Sequence, residues 1–454
     1  MPAFPPPPAP DRRAVRSRAR LLAILALPAL CLLCAAAAFA TKDPAGPYKK
    51  LDVFSHVLSL IENNYVEPVD ESRLIYGAID GMVRTLDPHT NFMDPRSYAG
   101  LKVETDGEYG GVGLELANKG DDVIVISPLQ DTPAARAGIM SGDRMIEVDG
   151  VSTHGLREPD VTRALNGPPG TRCVVKTLRD GWSEPKTFSM VRDVIRIVSV
   201  DEKLFDKRLG YVRIKSFQDR TDAYLKRSLE VLRAQGGGEL KGLVLDLRQN
   251  PGGLLDQAVR VADRFMEGGV IVTTKGRGGR HVEVERAHTK ETEPDYPMVV
   301  LVDGGTASAS EIVAGALQDS GRAAVLGTQT FGKGSVQTVI ELEDGSGLKL
   351  TIARYYTPSG RSIQEKGITP DLVVKGLSED ESMREKSLPG HFKGEDDKAD
   401  KKPEGAPDKD KPAAVASATQ PGDPGDDPQL KAALETLRNW QNFRAQKAAR
   451  TGTP

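Results

Sequence analysis

The chain has 454 residues, a length that suits two or three domains. Its 61 Lys and Arg stand against 64 Asp and Glu, a balance that excludes the strongly basic surface of a nucleic-acid binder. Of its 3 Cys, Cys31 and Cys34 lie in an N-terminal apolar segment. The rest of the chain keeps Cys173 alone, which excludes an internal disulfide and a cysteine metal cluster.

The first forty residues do not read as part of a fold. Pro5 to Pro8 lead to five arginines between Arg12 and Arg20, then to an uncharged apolar run from Leu21 to Ala40 that ends Ala38-Phe39-Ala40. A basic start, an apolar run and a small-x-small ending make a secretory signal. At about 20 residues the run is also long enough to span a bilayer, so an uncleaved anchor is the alternative. Either way the body is expected outside the cytoplasm, in a periplasm or on the outer face of the cytoplasmic membrane. Arg12-Arg13 lacks the context of a twin-arginine signal, and Leu before Cys31 and Cys34 makes a poor lipoprotein acceptor.

Residues 41–100 form an expected helical region. Leu51, Phe54, Val57, Leu58 and Ile61 share one helical face. Leu74, Ile75, Ala78, Ile79, Met82 and Val83 share another. Asn63-Asn64 and Asp87-Pro88-His89 break them. Two amphipathic helices bury little alone, so they are expected to pack on another domain or a partner subunit.

From residue 101 to 192 the pattern changes to short strands. Gly110 to Leu116 and Asp122 to Ile126 read as strands, Thr132 to Gly138 as a short helix, and Gly142 to Gly150 as a strand entering a turn. Glu158 to Leu165 reads as a helix, and Cys173 to Leu178 and Lys186 to Met190 as closing strands. The order, with Gly111-Val-Gly-Leu114, Pro133-Ala-Ala-Arg-Ala-Gly138 and Gly142-Asp then Ile146-Glu-Val-Asp-Gly150, resembles a bacterial-type PDZ domain of mixed α+β structure. The resemblance implies capture of a peptide C-terminus as an added strand, its carboxylate cradled by Gly111, Val112, Gly113 and Leu114. A PDZ-like module used only for packing is the alternative.

From 193 to 378 strands and helices alternate: strand 209–214, helix 223–233, strand 242–248, helix 254–266, strand 269–273, strand 298–302 and a helix beginning near Ser308. This is the pattern of an α/β domain with a largely parallel sheet, whose functional loops leave the carboxyl ends of strands. Asn250-Pro-Gly-Gly253 and Gly304-Gly-Thr-Ala-Ser308 both leave such ends and are expected side by side. Ser308 with Glu311 forms a capping box, so the turn alone supports a helix cap as readily as a nucleophile. Lys333, between glycines in Thr328 to Gln337, matches no phosphate-loop spacing. All six His (56, 89, 154, 281, 288 and 391) lie outside these loops, so a Ser-His-Asp arrangement lacks a base. A Ser with a neutral Lys requires only that burial lower a pKa ordinarily near 10.4.

The stretch 379–427 is rich in Lys, Asp, Glu, Pro, Gly and Ala and reads as a disordered linker. Residues 428–447 carry Leu430, Ala433, Leu434, Leu437 and Trp440 at helical spacing after Pro428, and fit either a docked or a solvated helix.

Gly304 to Asp319, followed by Gly327-Thr-Gln-Thr-Phe-Gly-Lys-Gly-Ser-Val-Gln337, resembles the carboxyl-terminal processing (tail-specific) serine protease family. The likeness also takes in Val66-Glu-Pro-Val-Asp70, Leu86-Asp-Pro-His-Thr90, Asp246 to Gly253 and Tyr356 to Gln364. It implies an α/β multidomain protein: an N-terminal helical segment, a PDZ domain and a catalytic domain of the Clp-protease/crotonase type. It further implies Ser308 as nucleophile, Lys333 as general base, Gln337 as the group orienting the lysine, and backbone N–H groups of Ala309 and of Gly252 or Gly253 as oxyanion donors, with no cofactor and no metal. The partners implied are proteins with unstructured apolar C-termini, with no nucleic acid among them; a homodimer through the N- and C-terminal helices and a recruiting adaptor are left open by the sequence. Asn166 stands where the family often has Arg, which leaves its coupling of peptide binding to catalysis open. The competing function is a non-catalytic adaptor that binds protein tails.

Overall fold

The computed structural model describes residues 46–376, 384–394 and 425–451. The apolar run Leu21–Ala40 and most of the expected linker lie outside them. Among the described residues no helix is long and apolar enough to cross a membrane.

The chain divides into two compact units between Ala78 and Ile79. The first holds α1 (Gly46–Asn64) and the start of α2 (Glu71–Val83). Helix α1 leaves Leu51, Val53, Phe54, Val57 and Leu60 exposed, so the apolar face legible in its sequence has no cover among the described residues.

In the second unit, β1 (Asn91–Met93) is followed by α3 (Pro95–Asp106), capped by Asp94 at its start and Gly107 at its end. This helix runs across residue 100, and β2 (Glu108–Gly111) follows it. The PDZ-like module comprises β3 (Leu114–Lys119), β4 (Asp122–Pro128), α4 (Pro133–Ala137), β5 (Arg144–Val148), β6 (Val151–Ser152), α5 (Glu158–Leu165), β7 (Arg172–Leu178) and β8 (Lys186–Val191). Val123, Val125, Val148, Val161, Cys173 and Val175 form its core. Its exit strand β9 (Asp193–Arg196) pairs antiparallel with its entry strand β2, so the two connections leave as one ribbon.

The carboxyl-half domain runs through β10 (Val200–Phe205), β11 (Leu209–Ile214), α6 (Thr221–Gly236), β12 (Gly242–Asp246), α7 (Leu255–Asp263), β13 (Val270–Gly276), β14 (Val282–Arg286), β15 (Met298–Val302), α8 (Ala309–Asp319), β16 (Ala324–Gly327), β17 (Ser335–Glu341), β18 (Gly347–Tyr356) and β19 (Leu372–Val373). Its six-stranded sheet has the order β10-β11-β12-β15-β16-β19, parallel except where β10 joins β11. The strand expected at 269–273 belongs elsewhere: β13 pairs antiparallel with β18 and β14 in a second sheet. Its apolar run resembles that of the parallel strands, and pairing partners far along the chain decided its sheet.

Both faces of the six-stranded sheet are covered, which is why β12 and β15 are buried at every position. Leu243 and Leu245 face the α6, α7 and α8 side, whereas Val244 faces Leu430, Ala433, Leu434 and Leu437 of α9 (Pro428–Arg438). The docked form of the tail helix is therefore the one present. It ends at Asn439, and α10 (Trp440–Thr451) continues separately. The expected linker is also interrupted: residues 384–394 are packed, with Glu385 fully buried.

Candidate active site

Three loops leave the carboxyl ends of adjacent strands β12, β15 and β16 and meet on one sheet edge. Side chains of little bulk let their backbones stitch directly. The Ala307 N–H and the Ser310 hydroxyl both donate to the Asn250 carbonyl at 3.0 Å. The Thr306 hydroxyl donates to the Leu247 carbonyl at 2.8 Å, and the Phe331 N–H to the Thr306 carbonyl at 3.0 Å.

Ser308 sits at the tip of this arrangement with φ 57° and ψ −118°. A non-glycine residue holds such a conformation only when its surroundings impose it, at a cost of about 1–3 kcal/mol. Gly252 is one of those surroundings. At φ +105° it lies so close that an added Cβ would stand 2.8 Å from Ser308 Cβ and 3.0 Å from the Ala309 nitrogen. Gly253, at φ +135°, is equally confined, with a Cβ position 2.2 Å from the Phe217 carbonyl oxygen.

The expected capping box is present. Glu311 accepts the Ser308 N–H at 2.9 Å. Ser308 Oγ lies toward the Glu311 amide, as a box requires, but that amide donates to the Ser308 carbonyl at 2.9 Å and the hydroxyl makes no cap hydrogen bond. The Oγ is left for other chemistry.

Glu311 does more than cap. Fully buried, its Oε2 accepts both the Ser308 and Lys333 N–H groups at 2.9 Å, and its Oε1 accepts the Gly332 N–H at 2.8 Å and the Thr330 hydroxyl at 2.5 Å. One carboxylate thus ties the serine and lysine loops together. Burial pushes its pKa up to about 7, against the pull of the Thr330, Gly332, Ser308 and Lys333 donors.

Lys333 Nζ makes no hydrogen bond or ion pair among the described residues. Burial lowers its pKa to about 8, with help from Lys349, while Glu385, Glu311 and Asp87 pull the other way. At that value roughly a tenth of the lysine is neutral at pH 7, against less than about a thousandth for an ordinary lysine. No hydrogen bond joins Ser308 Oγ to Lys333 Nζ in the free chain.

Two further predicted residues take other partners. Gln337 donates to Ser335 Oγ at 2.8 Å and to the Ser335 carbonyl at 3.1 Å rather than reaching Lys333. A bulge between Val336 and Gln337 offsets the strand there. The Gly252 N–H is taken by Asn250 Oδ1 at 2.9 Å. Among the described residues no hydrogen bond takes the N–H of Gly253 or Ala309, so of the two expected glycines Gly253 is the one whose amide is free.

In the PDZ-like module β3 is an edge strand with α5 packed beside it, the layout that admits an added peptide strand. Gly111 ends β2 and pairs with Asp193, so it belongs to the ribbon. Val112 and Gly113 form the turn into β3, with φ +79° at Gly113, where Thr132 leaves no room for a Cβ. Leu114 opens β3 and is buried. At the end of α5, where Asn166 stands, Arg192 donates to the Ala164 and Leu165 carbonyls at 2.9 Å.

Sequence reasoning read Glu311 only as a cap and missed Gln364, His89 and Glu385 beside the lysine loop. The signal for Glu311 was present in its spacing from Ser308. Glu385, inside a stretch of linker-like composition, gave none.

Residues 208–374 match the family model for peptidase family S41, 35–97 that for the activating protease CtpB N-terminal domain, and 101–176 that for the PDZ domain. A carboxy-terminal-processing protease of Bartonella bacilliformis is 40% identical over 414 residues, 90% of this chain and 92% of that one. The carboxy-terminal processing protease CtpA of Bacillus subtilis is 34% identical over 327 residues, 72% of this chain and 69% of its own. Among solved structures, a photosystem II D1 C-terminal processing protease aligns at 35% identity over 71% of this chain and 86% of that one, with a TM-score of 0.42.

Proposed function

The chain belongs to peptidase family S41, the carboxyl-terminal processing serine peptidases, and from that premise we propose that Ser308 and Lys333 form the nucleophile–base pair of an exported endopeptidase acting on protein tails. The observation that carries this reading is a constrained serine hydroxyl with no cap hydrogen bond and a lysine that makes no ion pair among the described residues, their backbones held by one buried carboxylate. A lysine whose charge is disfavoured serves as base near neutral pH with no histidine.

The steps balance within the site. Lys333 Nζ takes the Ser308 hydroxyl proton as Oγ bonds to the scissile carbonyl carbon. The oxyanion is held by the Ala309 and Gly253 N–H groups. Collapse breaks the C–N bond, Lys333 returns the proton to the leaving amine, and water hydrolyses the acyl-enzyme by the same exchange. Because Oγ and Nζ are not bonded in the free chain, substrate binding completes their alignment. Gln337 orients the lysine once its amide leaves Ser335.

The free edge of β3 beside α5 supports capture of an apolar, unstructured C-terminus, with the Val112 and Gly113 amides at its carboxylate. The exposed face of α1 supports a homodimer through the helical region. The basic and apolar start of the sequence supports export, to a periplasm or the outer membrane face. A recruiting adaptor fits the same localisation. The adaptor-only alternative leaves the lysine unexplained, since peptide capture requires no buried amine.

Purified wild-type and Ser308→Ala protein, given a folded protein with an appended apolar tail, test the assignment. Cleavage by the wild type alone is expected, and cleavage by the purified alanine variant overturns it. Amidating the tail carboxylate is expected to slow turnover; an unchanged rate removes the carboxylate-capture step.

A further inference from the structure

The lysine loop is held by more than Glu311. Three successive amides, those of Gly332, Lys333 and Gly334, each donate to a buried side-chain oxygen: the first two to Glu311 and the third to Gln364 Oε1 at 2.9 Å. Gln364 is itself fully buried, and its Nε2 donates to Glu385 Oε1 at 2.9 Å. Glu385 Oε2 is 2.7 Å from Nε2 of His89, and the Glu385 N–H donates to the Phe331 carbonyl at 3.2 Å.

Glu385 reaches this place on a piece of chain that lies beyond residue 374, where the match to the peptidase family ends. Residues 384–394 fold back over the lysine loop and are held along their length. Arg384 donates to the Thr330 and Lys366 carbonyls at 3.1 and 3.0 Å. The Arg354 guanidinium stacks 4.2 Å over the Phe392 ring, and His391 pairs with Glu365. The Glu365 N–H in turn donates to the Gly332 carbonyl at 2.8 Å.

We propose that Glu385 is a positioning residue for Lys333, and that the strap Arg384–Gly394 completes the active site by anchoring Gln364, and through it Gly334, beside the lysine. The proposal rests on the reading of Lys333 as the base. Its chemistry is that of a supporting carboxylate: the hydrogen bond fixes the loop, and the negative charge acts on the ammonium. The charges facing Lys333 are Glu385 on the strap, Glu311 on α8, Asp87 near β1 and Lys349 on β18, with His89 as the partner of Glu385. Of these, Glu385, Glu311 and Asp87 favour the charged lysine and Lys349 opposes it. Removing the Glu385 charge therefore makes the lysine easier to neutralise.

The test uses the full-length protein and the pH dependence of kcat/KM on a tailed substrate. The wild type is expected to gain activity as pH rises through about 8, the value to which Lys333 is lowered. Glu385→Gln keeps an acceptor for Gln364 but loses the charge, so its activity is expected to rise at a pH lower by roughly one. Glu385→Ala also loses the anchor and is expected to lower kcat by about tenfold or more with KM little changed, because misplacing a reacting group costs rate rather than binding. A Gln profile superimposed on the wild type, or an Ala variant with unchanged kcat, overturns the proposal and leaves the base assignment standing. Activity retained by Lys333→Ala, or a wild-type profile with no rise near 8, overturns the base assignment and the proposal together.

Discussion

Lys333→Met removes an ammonium from a place where the fold disfavours charge, and the change is expected to stabilise the protein while abolishing catalysis. In the unfolded chain the lysine keeps its ordinary value of 10.5; in the fold it is lowered to about 8. Between those two values the unfolded chain holds a proton that the folded one has lost, so stability rises with pH from about 8 to 10.5. Below 8 both states are protonated, and the folded state bears the full cost of burying the charge. At about 1.4 kcal/mol per pKa unit that cost is about 3.5 kcal/mol. Partial exposure of the side chain reduces it to roughly 2–3 kcal/mol. Met has a similar unbranched length and no charge. At pH 7 the variant should therefore be more stable by roughly 2–3 kcal/mol, or about 5–10 °C in Tm. The assay is urea or thermal unfolding of both proteins at pH 7 and at pH 10.5, where the gap should close. A variant less stable than wild type at pH 7, or a gap unchanged at pH 10.5, refutes the account of Lys333 as a lysine buried at a cost.

Gly252→Ala places a methyl group 2.8 Å from Ser308 Cβ on a backbone at φ +105°, so the serine must move. A loss of about 100-fold or more in kcat/KM is expected, with about 1–3 kcal/mol of stability; near-wild-type kinetics would show that the Gly252 loop does not set the nucleophile. Leu434→Ala empties a fully buried site beneath the six-stranded sheet and should cost about 2–5 kcal/mol in denaturant unfolding. Truncation after residue 424 removes Leu430, Leu434 and Leu437 together, at about 1.5–3 kcal/mol each, a loss comparable to the stability of a whole domain. Soluble, active truncated protein would contradict α9 as an integral layer.

The structure gives the strained serine a physical rationale. The backbone conformation of Ser308 is unfavourable, the buried Glu311 is unfavourable, and the charged Lys333 is unfavourable, each for a different reason. The two sheet faces, packed by α6, α7 and α8 on one side and α9 on the other, supply the burial that offsets them. The C-terminal helix contributes directly near the site as well. Asp427 holds Arg248 at 2.7 and 2.9 Å, and Arg248 adjoins the loop that carries Asn250 and the two glycines.

The sequence by itself determined the elements whose signal is local. The strand Met298–Val302 and the helix that follows were legible because an uninterrupted apolar run, a glycine turn and a cap lie within twenty residues. The PDZ-like order, the helical spacing of Leu430 to Leu437 and the pairing of a serine loop with a histidine-free lysine loop were legible for the same reason, whereas the docking of that helix was not. Tertiary structure alone decided what depends on distant partners. It assigned β13 to the second sheet, gave the Gly252 amide to Asn250 and turned Gln337 toward Ser335. It made Glu311 the shared acceptor for both loops and brought Glu385 from a linker-like stretch to the side of Gln364. Hydrophobic period and turn chemistry act between neighbours in the chain, whereas burial, hydrogen-bond competition and the field at a titrating amine are set by whatever the fold brings within a few ångströms.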